Sequence, residues 1–212
     1  GRPLKPWQPG QFVWLTLESS PFALDEHPFS IASAPESAPL VTISIKPLGD
    51  FSSRAAAAKH GDIGYLEGPF GAFSIDREDA AATGFVMVAG GIGITPMLAN
   101  LRAMRERDDR RPAWLFYANP DLESAAFREE LAALENQLSL KLVHVLEHPP
   151  PDVEAEKGFV TRDILLKHLP ADLAGLRFLL CGPQPMTDAV TEALETMGVA
   201  HAHIKTELFD MV

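Results

Sequence analysis

The chain has 212 residues, 46% of them hydrophobic and 22% charged, with a formal net charge of −11 and one cysteine; this length can bury one large core or two of ordinary size. The acidic balance argues against nucleic acid or anionic lipid as a partner, because neutralising phosphates takes clustered Lys and Arg. The lone Cys181 excludes an internal disulfide, a cysteine-rich zinc site and a cysteine-ligated iron–sulfur cluster within these residues, and no apolar run reaches the roughly 18 residues of a membrane span.

A reducing, cytoplasmic setting is the expectation, with no secretory signal evident. The start at Gly1-Arg2, without methionine, suggests a trimmed or processed chain. In chain order, Gln11 to Leu17, Phe29 to Ala32 and Leu40 to Ile45 read as β-type runs separated by Pro, Gly, Asp and Ser. That punctuation predicts an antiparallel barrel or sandwich. One helix is expected in this half, beginning near Ser52 and covering Ser53 to Lys59.

From Gly84 onward strands and helices alternate. Phe85 to Ala89, Ala113 to Tyr117, Leu140 to Val145, Arg177 to Cys181 and His201 to Ile204 read as strands, and Met97 to Arg105, Ala125 to Gln137 and Met186 to Met197 as helices. The alternation predicts an α/β unit built on a doubly wound parallel sheet. The acidic, proline-rich stretch His148 to Lys157 reads as a surface loop. Two domains are expected, over residues 1–78 and 79–212.

The run Phe85 to Ala89 leads into Gly90-Gly91-Ile92-Gly93-Ile94-Thr95-Pro96. Glycines let a phosphate approach the backbone, and the following helix N-terminus supplies free N–H groups and partial positive charge. Proline stands where the ordinary dehydrogenase fingerprint has its third glycine, and the first turn of a helix tolerates it. From the residues alone this turn is either a dinucleotide-phosphate site or simply a tight strand-to-helix connection.

Four motifs in one order carry a resemblance: His27-Pro28-Phe29-Ser30, Gly49-Asp50-Phe51-Ser52, Gly91-Ile92-Gly93-Ile94-Thr95-Pro96 and Cys181-Gly182-Pro183. Nearly the whole chain thereby resembles the ferredoxin–NAD(P)H reductase superfamily. The resemblance implies a flavin-binding antiparallel β-barrel followed by a nicotinamide-dinucleotide domain. The H-P-F-S form, Gly68-Pro69-Phe70-Gly71 and Phe209 are most similar to the dehydrogenase half of ferric reductases and NADPH oxidases. Two departures stand out: His27 replaces the arginine found in most members, and the first barrel strand is absent or shortened at Gly1.

The resemblance assigns roles residue by residue, each beside a plainer reading. Phe29 and Ser30 would contact the isoalloxazine, with the Ser30 hydroxyl toward flavin N5, or they are a core ring and a solvated hydroxyl. His27 and Pro28 share that segment, and His27 offers flavin phosphate or ribitol a weaker, pH-dependent contact than arginine would. Gly49, Phe51 and Ser52 would form the FAD pyrophosphate turn, with Ser52 also an ordinary helix cap. Lys46 adds positive charge near those phosphates or is merely solvated. Gly91, Gly93, Thr95 and Pro96 would hold NADH or NADPH, with NADH favoured because the run Ala118 to Asp121 after Tyr117 holds Asp121 and no Arg or Lys, unless Arg105, Arg107 or Arg128 folds into reach of a 2′-phosphate. Cys181, Gly182 and Pro183 would align the nicotinamide, and Phe209 would cover the flavin; buried packing is the alternative for Cys181 and Phe209. Ser30, Cys181 and Phe209 are thus the candidate catalytic residues. No metal is expected, since His201 and His203 lack ligand partners at matching spacing, and the commonest hydrolase signatures are absent.

The implied activity is hydride transfer from NAD(P)H to FAD and onward transfer of single electrons. The expected acceptor is a haem in an upstream membrane segment of the same polypeptide, placing this chain on the cytoplasmic side. A soluble ferredoxin or flavin reductase is the rival reading. A scaffold that has lost catalysis and acts as a nucleotide-responsive module is another.

Overall fold

The structure is a computed structural model describing residues 4–17, 25–78 and 81–208. Its first part is a three-stranded antiparallel sheet in the order β2-β1-β3, from β1 (Phe12–Thr16), β2 (Glu26–Ser30) and β3 (Tyr65–Phe70), with helix α1 (Asp50–Ala56) between β2 and β3. A bridge between Ile31 and Ile43 extends this wall beyond β2, and Trp7, Val13 and Ile31 form its small core. This is the antiparallel flavin-barrel half expected from the sequence.

The second part is a six-stranded parallel sheet in the order β7-β6-β5-β4-β8-β9. Its strands are β4 (Gly84–Gly90), β5 (Ala113–Asn119), β6 (Leu140–Leu146), β7 (Glu156–Lys157), β8 (Leu176–Gly182) and β9 (Ile204–Leu208). Helices α2 (Ile94–Glu106), α3 (Arg128–Gln137), α4 (Arg162–His168) and α5 (Gln184–Thr196) connect them. Side chains along β4 alternate between two cores: Phe85, Met87 and Ala89 join α2 and α3 on one side, while Val86 and Val88 join α4 and α5 on the other. Burial on both faces explains the unbroken apolar run, which an open sheet would interrupt with polar residues.

Several expected elements differ. Leu40 to Ile45 is not a strand beyond the bridge at Ile43. The Ser33 hydroxyl accepts the Thr42 amide at 3.0 Å and the Ser37 hydroxyl donates to the Leu40 carbonyl at 3.0 Å, so side chains take the place of ladder partners. Lys46 accordingly stands on an exposed connection rather than a strand. Helix α1 starts at Asp50, not Ser53, and ends at Ala56, where the Asp62 carboxylate takes the Lys59 amide into a turn. Strand β3 escaped notice because Gly68-Pro69 resembles a turn; an edge position and a register shift opposite Phe12 and Trp14 accommodate the proline. Strand β7 lies inside the expected loop, α4 follows it, and His201 to His203 form a 3-10 turn ahead of β9.

Two polar side chains on α2, the buried Asn100 and the half-buried Arg102, join the two sheets. Asn100 donates to the Pro96 carbonyl at 2.7 Å and accepts the Ile75 amide at 2.9 Å. Arg102 donates to the Ala32 carbonyl at 2.8 Å and grips Glu130 with two bonds of 2.7 Å. Ala32 lies two residues beyond Ser30, so the end of β2 is held against α2.

Candidate functional site

The chain runs β4 to β7 toward one edge of the parallel sheet, then returns to lay β8 and β9 on the other side of β4. The strand order therefore reverses between β4 and β8, and open α/β sheets bind ligands outside the strand carboxyl ends at such a point. Both glycine motifs lie there. Gly91 has φ +52 and nothing within 4 Å of where a Cβ would sit, so conformation rather than packing demands glycine. Gly93 is the opposite case: a Cβ would sit 2.2 Å from the Cys181 carbonyl oxygen. That close approach brings the start of α2 against the end of β8.

Helices α2 and α5 both begin at this end of the sheet, and their first-turn amides make it hospitable to an anion. Pro96 occupies the third position of α2, where no helical N–H partner is needed. The buried Thr95 hydroxyl donates to the Ile92 carbonyl at 3.0 Å, bracing the turn. Pro183 is exposed ahead of α5, and Met186 fills the space beside Gly90 and Gly182.

Cys181 is fully buried, and burial followed by the negative field of Glu207 holds its thiol well above the ordinary cysteine range. It packs as a neutral thiol rather than a thiolate. Glu207, its neighbour in register on β9, has a buried Oε2 without a hydrogen-bond partner among the described residues, and burial raises its carboxyl from 4.5 to about 7. Asn119, at the end of β5, is likewise buried, beside the Tyr117 hydroxyl. Phe209 lies outside the described residues.

On the small sheet, Ser30 is 4% exposed and its hydroxyl has no hydrogen-bond partner among the described residues. A buried hydroxyl left this way calls for a polar group to complete it, which fits the edge of a flavin. Phe29 stacks toward Phe51 at 6.0 Å between ring centroids. His27 lies on Phe51 at 4.2 Å, and its Nε2 is 3.0 Å from Asp25 Oδ1. Arg54 places its guanidinium over Phe51 and pairs with the other Asp25 oxygen; these two contacts hold the Asp25 carboxyl below its usual range, the His27 bond first. Pro28 is exposed between His27 and Phe29.

Ser52 Oγ accepts the Leu48 and Gly49 amides at 2.8 and 2.9 Å and donates to the Gly49 carbonyl at 3.0 Å. The hydroxyl shapes the turn, leaving the first-turn amides of α1 for a phosphate. Asp25, Arg54, Asn100, Arg102 and Asn119 were not singled out from sequence. A polar residue in the middle of an apolar helical face was the available signal for Asn100.

The comparisons agree with this architecture. Residues 87–192 match the family model described as oxidoreductase NAD-binding domain, and residues 2–61 match that described as FAD-binding domain. NADH-cytochrome b5 reductase 1 of Aspergillus terreus is 35% identical over 173 residues, 78% of this chain and 58% of that protein. The chain thus spans little more than half the length of such relatives. A ferredoxin NADP+ reductase from Neisseria gonorrhoeae, solved with bound FAD and NADP, superposes with a TM-score of 0.77 at 24% identity, covering 95% of this chain and 87% of that one. A flavohemoglobin from Malassezia yamatoensis, solved with bound FAD and heme, superposes with a TM-score of 0.80 at 21% identity, covering 98% of this chain and 53% of that one. The chain belongs to the oxidoreductase NAD-binding domain family and, with its FAD-binding portion ahead, to the ferredoxin–NAD(P)H reductase superfamily.

Proposed function

We propose that this chain is the electron-input module of a flavoprotein, receiving hydride from NAD(P)H on FAD and delivering electrons singly to a haem-containing acceptor. The division between its two units is placed between residues 78 and 79. The observation that carries this reading is the pairing of two phosphate-ready turns in one body: Gly49 to Ser52 ahead of α1, and Gly91 to Pro96 at the β4–β8 reversal. FAD supplies the conversion between two-electron and one-electron chemistry. The turn ahead of α1 favours FAD over FMN, which has no diphosphate to fill it.

The residues act by binding and exclusion. Ser30 offers its unpartnered hydroxyl to the flavin edge, and Phe29 and Phe51 form the apolar support beside it. Gly91, Gly93, Gly182 and Pro183 shape the cradle for the dinucleotide, and Cys181 limits how deeply the nicotinamide sits. Lys46 contributes charge toward the flavin phosphates, and Phe209 covers the flavin until nicotinamide displaces it. Hydride transfer needs close approach and exclusion of water, which these groups provide without a nucleophile.

NADH is the favoured donor. The Ser124 side chain and amide hold the Asp121 carboxyl below its usual range at the end of β5, so a 2′-phosphate there would meet a negative charge. The names of the NADH-cytochrome b5 reductase relatives support the same choice.

The H-P-F-S segment and the absence of cysteines for an iron–sulfur relay point to a haem in a membrane segment of the same polypeptide, with this module on the cytoplasmic side. Among the described residues no helix is long and apolar enough to cross a membrane. Anaerobic haem reduction by NADH in membranes carrying the full-length gene product tests this partner. Reduction at rates matching flavin turnover supports it; rapid reduction of soluble ferredoxin with no haem reduction favours the soluble-reductase alternative, to which the Neisseria neighbour lends the fold.

A further inference from the structure

We propose that Arg54 is a binding residue for the diphosphate of FAD, held for that task by the Asp25 carboxylate that it shares with His27. The inference rests on the reading that the flavin lies along this face of the small sheet. Sequence reading assigns positive charge near the phosphates to Lys46 and a weaker, pH-dependent contact to His27; the geometry adds a guanidinium beside His27. His27 Nε2 is committed to Asp25 at 3.0 Å and its ring lies at 4.2 Å and 31° to that of Phe51. One ring nitrogen remains for a ligand, without the paired donors of a guanidinium.

Arg54 is placed differently. Its Nη2 engages the second Asp25 oxygen, and its guanidinium carbon lies 5.5 Å from the Phe51 ring centre. Helical side chains lean toward the N-terminus. Lying over the residue three positions earlier carries the guanidinium back over the first turn of α1, the helix whose entry Ser52 braces at Gly49. About half the side chain remains exposed, at 53%, leaving planar N–H donors for the bidentate recognition phosphates favour.

Charge points the same way. The chain carries −11 overall, yet here one carboxylate is divided between a permanent guanidinium and an imidazole, so the cluster is neutral or positive. An ordinary surface ion pair would join two side chains and contribute little. This one links the segment before β2 to α1 and holds the guanidinium and the imidazole against a single buried ring.

The test titrates FAD and riboflavin, which lacks phosphate, into the wild-type chain and into Arg54→Ala and Arg54→Lys, following flavin fluorescence and thermal melting. Arg54→Ala should weaken FAD about tenfold or more, leave riboflavin affinity unchanged, and flatten the salt dependence of FAD binding. Arg54→Lys should recover part of the loss. Unchanged FAD affinity in Arg54→Ala, or equal losses for FAD and riboflavin, would overturn the assignment. A wild-type chain that binds neither flavin would instead overturn the underlying placement of the cofactor, and this inference with it.

Discussion

Cys181 and Glu207 face each other across the parallel register of β8 and β9, and the carboxylate adds to burial in keeping the thiol protonated. Sulfur in this setting is a spacer. Cys181→Ala should therefore change the rate of flavin reduction by NADH more than it changes flavin content, and Phe209→Ala should do the same. Stopped-flow bleaching beside the absorbance ratio of bound flavin separates the two effects; unchanged rates in both variants would remove these residues from the site.

Glu207 itself should leave a signature in stability. Its carboxyl rises from 4.5 to about 7 on folding, so the folded chain holds this proton more tightly than the unfolded chain. The resulting stabilisation is complete below the unfolded value and is lost as pH climbs through the folded one, amounting to about 3 kcal/mol. Glu207→Gln should flatten the decline between pH 5 and 8. Parallel denaturant melts of wild type and variant at those two pH values give the difference directly.

The two glycines of the β4 turn should respond unequally to alanine. At Gly93 the new Cβ would meet the Cys181 carbonyl oxygen at 2.2 Å, and backbone cannot step aside cheaply, so Gly93→Ala should cost about 1–3 kcal/mol and disturb nucleotide binding. At Gly91 the space is open and φ is +52, so the cost should be about 1–2 kcal/mol from backbone conformation alone. Melting curves with and without NADH test the ranking.

Ser30 carries a buried hydroxyl with no hydrogen-bond partner among the described residues. Ser30→Ala should raise the stability of the flavin-free chain by about 1 kcal/mol, because it removes an unmet desolvation cost, while weakening FAD binding. A variant that melts lower without flavin would show that the hydroxyl is satisfied in solution.

The α/β half was legible because it obeys one rule throughout: strands buried on both faces show unbroken apolar runs, and the reversal between β4 and β8 is marked by glycines on both strands. The barrel half was harder to read. Among the described residues its core cluster is Trp7, Val13 and Ile31 with Leu4, Val41 and Ile43 against it, Ser33 and Ser37 stand in for a strand ladder, and Gly68-Pro69 disguises an edge strand. At the site, Ser30 and Cys181 were visible through their motifs, whereas the Asp25 and Arg54 pair is separated by 29 residues and has no local pattern. Glu207 gave no warning either, since burial of one carboxylate oxygen depends on how β9 docks.

Anaerobic addition of NADH to the chain saturated with FAD is the most direct measurement of whether the two turns serve one reaction. Stoichiometric loss of oxidised-flavin absorbance, restored by ferricyanide, is the expected result. FAD that stays bound and fully oxidised in the presence of excess NADH and NADPH would contradict hydride transfer as the work of this fold.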